Sequence, residues 1–366
     1  MAFGLFKKKK KEKANDSRYI SLTIKEVRPV AKDAVNLIFK KPENGFSYEP
    51  GQFITLIQNV EGKKIRRAYS LCTSPFETDE PAVTVKRVKD GAMSNYINDT
   101  FQAGMEVEVM EPMGMFTTTY DETNARKAIF FGGGSGITPL FSLIKSILLK
   151  EKESHVTLVY GNRTEDFIIF KDELNELADT YDNFQLHHIL EEDKQGIASY
   201  HGRPDAEMIK QILSDLGADN ETEIYICGPQ PMMDVVQEGI QKTGLSDDRV
   251  RVESFEAGKT SPSEIIAEEE HEEGSGNAEV TIVLDGETHS ISIEKSRPIL
   301  EQGLEQGLDM PYSCQSGLCT ACRGKCLEGE VSVDKVEGLT QEELDEGYVL
   351  TCVGQALSDK VEIEIG

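Results

Sequence analysis

Between Tyr19 and Met110 the chain alternates apolar and polar residues in short runs. These are Tyr19-Ile-Ser-Leu-Thr-Ile24, Val35-Asn-Leu-Ile-Phe39, Phe53-Ile-Thr-Leu-Ile57, Ala82-Val-Thr-Val-Lys86 and Glu106-Val-Glu-Val-Met110. Residues two apart share a strand face, so each run offers one apolar side to a core. Gly, Pro and Asn interrupt the runs at Pro42-Glu-Asn-Gly45, Pro50-Gly51 and Pro112-Met-Gly114, and Pro75 to Pro81 reads as a surface turn. Many short strands at this spacing predict a small antiparallel β-barrel, which we bound at residues 18–120.

The pattern changes at about residue 125. Strand-like Lys127-Ala-Ile-Phe-Phe131 ends in glycines, and an apolar helical run from Pro139 to Leu149 follows. Val156–Tyr160, Phe184–Ile189 and Glu223–Cys227 read as further strands, with helices expected near 170–179, 205–216 and 231–243. Strands alternating with helices predict a parallel sheet covered on both faces, over 121–257. Residues 258–276 are rich in Ser, Gly and Glu and include Glu268-Glu-Glu-His-Glu-Glu273, which predicts an extended, self-repelling acidic linker. Glu279 to Ile293 then predicts a hairpin through Asp285-Gly286, and Ser296 to Gly303 a short helix with Pro298 in its first turn. No internal repeat is visible.

At 366 residues the chain is expected to hold two to four domains, and its 38% hydrophobic content is ordinary for a folded soluble protein. No apolar stretch approaches the ~20 residues that span a bilayer, so no membrane span is expected. The net charge of −26 argues against nucleic acid as a partner. That charge is uneven: residues 15–120 carry 14 acids and 13 bases, whereas 277–366 carry 18 acids and 6 bases. Residues 1–17, with lysines from Lys7 to Lys11, are expected to be a disordered basic tail, and Ala2 rules out myristoylation.

The chemistry at the carboxyl end lies in Cys314-Gln-Ser-Gly-Leu-Cys319-Thr-Ala-Cys322, followed after twenty-nine residues by Cys352. This is the ligand spacing of a plant-type [2Fe–2S] cluster, with three thiolates from one tight loop and the fourth from a separate segment. A zinc ribbon needs two C-x2-C pairs and the chain has one. The odd total of seven cysteines, with no secretory leader pattern, argues against a disulfide framework and for the cytoplasm. Cys326 has no place in the ligand spacing.

Two further motifs precede it. The first is Arg67-Ala-Tyr69-Ser70, with Lys86-Arg87-Val88 and Gly91-Ala92-Met93-Ser94 beyond it. Arginine forks pair well with phosphates, tyrosine lies flat on an aromatic ring, and serine reaches a ring nitrogen. The second is Gly132-Gly133-Gly134-Ser135-Gly136-Ile-Thr138-Pro139, set between a strand and a helix, where glycines let the backbone approach a pyrophosphate. It departs from the G-x-G-x-x-G fingerprint, because Ile137 stands at the last glycine position.

With Cys227-Gly228-Pro229, these motifs resemble the ferredoxin–NADP reductase superfamily, and the resemblance runs from residue 18 to 366. The module order is similar to that of oxygenase reductases, most closely those serving a phenylacetyl-CoA epoxidase. Reductases of hybrid-cluster proteins and of steroid hydroxylases share it. The resemblance implies a multidomain chain: a flavin barrel, an NAD(P)-binding α/β domain and, over 277–366, an α+β ferredoxin of β-grasp form. It implies FAD, although FMN forms exist, held by Arg67, Tyr69, Ser70, Lys86, Ala92, Met93, Ser94 and Thr138. It implies a nicotinamide site at Cys227, Gly228 and Pro229, with Glu253 beside it and Phe255 as the aromatic cover of the flavin. The implied activity is electron transfer from NAD(P)H through flavin and cluster to an oxygenase partner, with no catalytic base. A carboxylate often ends the second strand in NAD enzymes, but here Arg163 and Thr164 stand there, which leans the expectation to NADPH.

Overall fold

The alternating runs form β1 (Tyr19–Ala31), β2 (Ala34–Phe39), β3 (Phe53–Val60), β5 (Ala82–Lys86) and β6 (Glu106–Met113). β4 (Lys63–Ser70) joins them, although its sequence is mostly polar. Arg67 to Ser70 therefore lie within a strand. β4 pairs with β3 from Val60–Lys63 to Phe53–Ser70, across a turn in which Glu61 and Gly62 both take positive φ. The sheet order is β4-β3-β6-β1-β2-β5, all antiparallel, and a bridge between Leu71 and Val83 brings its two edges together. Leu22, Ile24, Leu37, Leu56, Val85 and Val109 fill the interior. α1 (Ala92–Thr100) follows β5.

This computed structural model describes residues 19–42, 46–255, 276–284, 286–334, 336 and 338–365. The expected basic tail and nearly all of the expected acidic linker lie outside the described residues.

The second unit is a parallel sheet of β7 (Lys127–Gly133), β8 (His155–Asn162), β9 (Phe184–Leu190), β10 (Tyr200–His201), β11 (Glu223–Cys227) and β12 (Val250–Glu253), in the order β10-β9-β8-β7-β11-β12. α2 (Ile137–Lys150) and α3 (Lys171–Thr180) pack on one face through Ile144, Leu158 and Leu174. α4 (Ala206–Asp215) and α5 (Gln230–Thr243) cover the other through Ile209, Met233 and Val159. The strand order turns back between β7 and β11. Ligands of open α/β sheets bind in the crevice at the carboxyl ends of strands where the order reverses.

The third unit is a mixed sheet, β14-β13-β17-β15-β16. It comprises β13 (Asn277–Leu284), β14 (Glu287–Glu294), β15 (Arg323–Glu328), β16 (Tyr348–Leu350) and β17 (Lys360–Ile365), with helices α6 (Ile299–Glu305) and α7 (Gln341–Asp345). β13 and β17 run parallel and the other pairs antiparallel. The cysteine loop leaves α6 and returns as β15. None of the described helices is long and apolar enough to cross a membrane.

Candidate functional site

At the reversal of strand order, Gly132 pairs with Cys227, so the glycine loop and Cys227-Gly228-Pro229 lie side by side. The glycines are needed for that approach. A Cβ on Gly136 would stand 2.1 Å from the Cys227 carbonyl oxygen, and one on Gly133 2.4 Å from Met232 Sδ. Gly134 to Gly136 make a single 3-10 turn, with Gly134 at φ +51°, before α2 begins. Thr138 is buried in the first turn of α2, and its hydroxyl donates to the Ser135 carbonyl at 3.0 Å. Pro229 caps α5 with no side-chain hydrogen bond; its carbonyl accepts from the Met232 and Met233 N–H groups, and Pro231 carries no N–H.

The Cys227 thiol is wholly buried, and burial, with Glu253 next, pushes its pKa up. Glu253 is its partner across the β11–β12 pair. Part of Glu253 reaches solvent, but its Oε2 is sealed from water without a hydrogen-bond partner. Burial raises that carboxyl to about 8. Phe255, two residues on, is exposed.

On the barrel, Arg67 is exposed, and its Nη1 donates to the Arg66 carbonyl at 2.7 Å. Among the described residues no carboxylate pairs with it, so its guanidinium is open to an anion. Tyr69 is half-buried and Ser70 buried; burial raises the Tyr69 hydroxyl pKa. The Leu71–Val83 bridge sets the end of β4 beside β5, which leads into α1. α1 has Gly91 as N-cap and no capping side chain, so its first N–H groups are also open. A Cβ on Gly91 would lie 2.7 Å from Ser94 Oγ. Ser94 accepts from the Val88 N–H at 3.1 Å, and Met93 points into the barrel core, so Ala92 and Met93 offer only backbone. An unpaired arginine and an uncapped helix end are the donor set a flavin diphosphate requires. The residues present fit the group.

Lys86, at the end of β5, stands close to the glycine turn: its Nζ lies 3.2 Å from where a Gly134 Cβ would be. Burial first, then repulsion from Arg163, lowers its pKa. Arg163 is exposed just beyond β8, with its Cζ 4.7 Å from the Phe167 ring centre.

The four cysteines of the expected cluster converge although Cys352 is thirty positions from Cys322. All are free thiols. Hydrogen bonding with Cys319 and then Cys352 pulls the Cys314 thiol well below its usual pKa, and hydrogen bonding with Cys352 lowers Cys322. The four thiols thus share hydrogen bonds within one small cluster, and holding a metal group there requires that they lose their protons. Gln315 at φ +56° and Gly317 at φ +78° curl the loop, and the Ser316 N–H donates to Cys314 Sγ at 3.4 Å. The Gly338 N–H bonds the Gly317 carbonyl and Thr351 the Cys322 carbonyl, tying the loop to both flanking segments. Among the described residues no His, Cys, Asp or Glu set closes on a single metal ion. Cys326 stands apart on β15, its thiol donating weakly to the Glu328 carbonyl at 3.5 Å.

Sequence reasoning missed how this loop is held. It lies against the outer face of the barrel, where Cys319 and Ala321 pack on Phe53, Ile57 and Met110. Thr55 and Ser313 share a 2.5 Å hydrogen bond. Asp309 accepts from Lys64 at 2.8 Å and from Arg66 at 2.7 Å, and Arg66 also lies over the Tyr312 ring. The double lysine–arginine run Lys63-Lys-Ile-Arg-Arg67 was the available signal, but nothing local pairs it with Asp309.

Comparison with known proteins matches the three units in turn. An oxidoreductase FAD-binding domain matches 21–118, an oxidoreductase NAD-binding domain 130–238 and a 2Fe-2S iron-sulfur cluster binding domain 282–357. The ferredoxin reductase component of 3-ketosteroid-9-alpha-monooxygenase from Rhodococcus rhodochrous is 35% identical over 96% of this chain and 99% of its own length. One of the subunits of 1,2-phenylacetyl-CoA epoxidase from Escherichia coli is 32% identical over 94% of this chain and 97% of its own. The chain belongs to the oxygenase reductase family. As a member it is an oxidoreductase with FAD, NAD and 2Fe-2S domains, associated with an oxygenase. Phthalate dioxygenase reductase shares the fold across 96% of this chain and 99% of its own (TM-score 0.57, 24% identity). The reductase family thus carries the expected order of modules in one continuous chain.

Proposed function

We propose that this chain takes reducing equivalents from NADPH and delivers single electrons to an oxygenase in the cytoplasm, with a phenylacetyl-CoA epoxidase as the acceptor. The observation that carries the route is the docked cysteine loop: it packs on Phe53 and Ile57 of β3 and Met110 of β6, and β3 is paired with β4, the strand that holds Arg67 and Ser70. When bound, the flavin supplies the step from a two-electron donor to one-electron carriers, and the protein sets distance and excludes water. Arg67 and the α1 N-terminus would hold the flavin diphosphate, with Tyr69 and Ser70 at the end of β4 available to the ring. The glycine turn receives the nucleotide diphosphate, with Gly228 and Pro229 beside the nicotinamide. Cys314, Cys319, Cys322 and Cys352 would hold the cluster, and Phe53, in the same apolar group as Cys319, is the register partner of Ser70.

The greater identity to the Rhodococcus reductase component favours a steroid-ring oxygenase as a second reading of the acceptor. Reconstitution decides between them. The purified protein, NADPH and each oxygenase are mixed, and product is counted per NADPH consumed. Tight coupling with the epoxidase alone supports the first reading, tight coupling with the steroid enzyme alone the second. Coupling with neither, while a hybrid-cluster protein is reduced, would reject both.

A further inference from the structure

The hairpin between β1 and β2 reaches out of the barrel to the parallel-sheet unit. Lys32, at its tip, donates its backbone N–H to the Asp166 carbonyl at 2.8 Å. That bond ties the flavin barrel to the segment just after β8. The Lys32 side chain is exposed and its Nζ lies 5.2 Å from the centre of the Phe167 ring. Two other cations share the same ring: Arg163 at 4.7 Å and Lys86 at 5.7 Å.

Among the described residues none of the three is paired with a carboxylate. The nearby acids are otherwise placed. Asp33 favours the charge on Lys86 only through space. Asp166 is exposed and joins no ion pair among the described residues, and Glu165 accepts the backbone N–H groups of Lys194 and Gln195. Lys86 is held in a partly buried position despite Arg163, next to the glycine turn. Asn162, next to Arg163 in the chain, has both amide atoms buried without a hydrogen-bond partner. Lys86 and Arg163 repel each other beside the ring that Lys32 also approaches, and the cation–π contacts offset only part of that. An anion in their midst relieves the repulsion, and phosphate oxygens match both the ammonium and the guanidinium donors.

We propose that Lys32, from the flavin barrel, joins Lys86 and Arg163 to form a phosphate seat for the pyridine dinucleotide that spans the two domains. The inference rests on reading the glycine turn as the nucleotide site, and it adds a residue from the other domain. Lys32 therefore acts twice: it contacts the nucleotide, and its hairpin fixes the angle between barrel and sheet.

The test is a titration of the FAD-loaded, full-length protein with NADP+ and with NAD+, followed by flavin difference absorbance. Lys32→Ala is expected to raise the Kd for NADP+ about tenfold and to flatten its salt dependence, and Lys32→Arg to restore most of both. FAD content stays at the wild-type level. An equal loss for both nucleotides also supports the seat, assigning it to the shared diphosphate. NADPH preference is judged separately, from the wild-type ratio of the two Kd values. Unchanged Kd for both nucleotides in Lys32→Ala, or loss of FAD without loss of nucleotide affinity, overturns the proposal.

Discussion

Removing Asp309 should release the ferredoxin module from the barrel. Its carboxylate accepts from Arg66 and Lys64, and burial, which opposes its charge, is outweighed by those two hydrogen bonds, so its pKa falls. Only 2% of the Arg66 side chain is exposed, and its Nε has no partner. In Asp309→Ala the guanidinium is left buried and uncompensated in the docked pose but becomes hydrated on undocking. Breaking a wholly buried pair costs about 3–5 kcal/mol. Asp309 itself is 57% exposed, which screens the pair. A hydrogen bond to a charged group, about 1.5–3 kcal/mol, is therefore the better measure. The docked fraction then falls relative to the undocked by roughly 10- to 150-fold. Stopped-flow mixing with NADPH should show flavin bleaching at the wild-type rate and slower cluster reduction. Small-angle scattering should show a larger radius of gyration. The double variant Arg66→Met/Asp309→Leu, which replaces the charges by apolar groups of similar bulk, should recover docking. If Asp309→Ala keeps both the cluster reduction rate and the wild-type scattering, the contact does not hold the modules together.

Serine at Cys314, Cys319, Cys322 or Cys352 should abolish or cripple the visible iron–sulfur spectrum and leave flavin reduction intact, whereas Cys326→Ser should keep full iron content; the reverse pattern by metal analysis rejects the ligand set. Arg163→Ala should raise KM for NADPH far more than for NADH; because Arg163 is exposed, the loss is set at about 1.5 kcal/mol, roughly tenfold. Glu253 has a folded pKa raised from 4.5 to about 8, so the folded protein holds a proton that the unfolded chain releases above 4.5. Its contribution to stability is full below pH 4.5 and is lost as pH rises through about 8. The Tm difference between wild type and Glu253→Gln should therefore shift against wild type across that window, and a constant difference refutes the burial of its carboxyl. Gly136→Ala places a methyl 2.1 Å from the Cys227 carbonyl and should cost nucleotide affinity with the barrel still holding FAD; unchanged affinity refutes the close approach of the two loops.

The amino-acid sequence by itself determined the local elements and the ligand spacing. The period-2 runs became β1, β2, β3, β5 and β6, and the expected helices appear as α2 to α5 within a few residues. Cysteine spacing and the glycine turn were legible because each lies within a stretch short enough for one loop to close. β4 was harder: its outward face carries Arg66, whose burial comes from another module, so its polarity reads as exposed loop. The strands β10, β12 and β16 and the helix α7 carry too few residues for a period to show, whereas β17 alternates through Val361-Glu-Ile-Glu-Ile365 and was legible but not singled out.

Only the tertiary structure decided which distant groups meet. Arg66 and Asp309 are 243 positions apart, and Thr55 and Ser313 are 258. Lys32 reaches Phe167 from another domain, and Glu253 becomes buried beside Cys227 through a parallel strand pair. Periodicity records the face a residue presents and caps record where an element stops, both within a turn or two of the chain. Charge pairing across modules and the burial that shifts a pKa depend on how whole sheets stack, which no local window encodes.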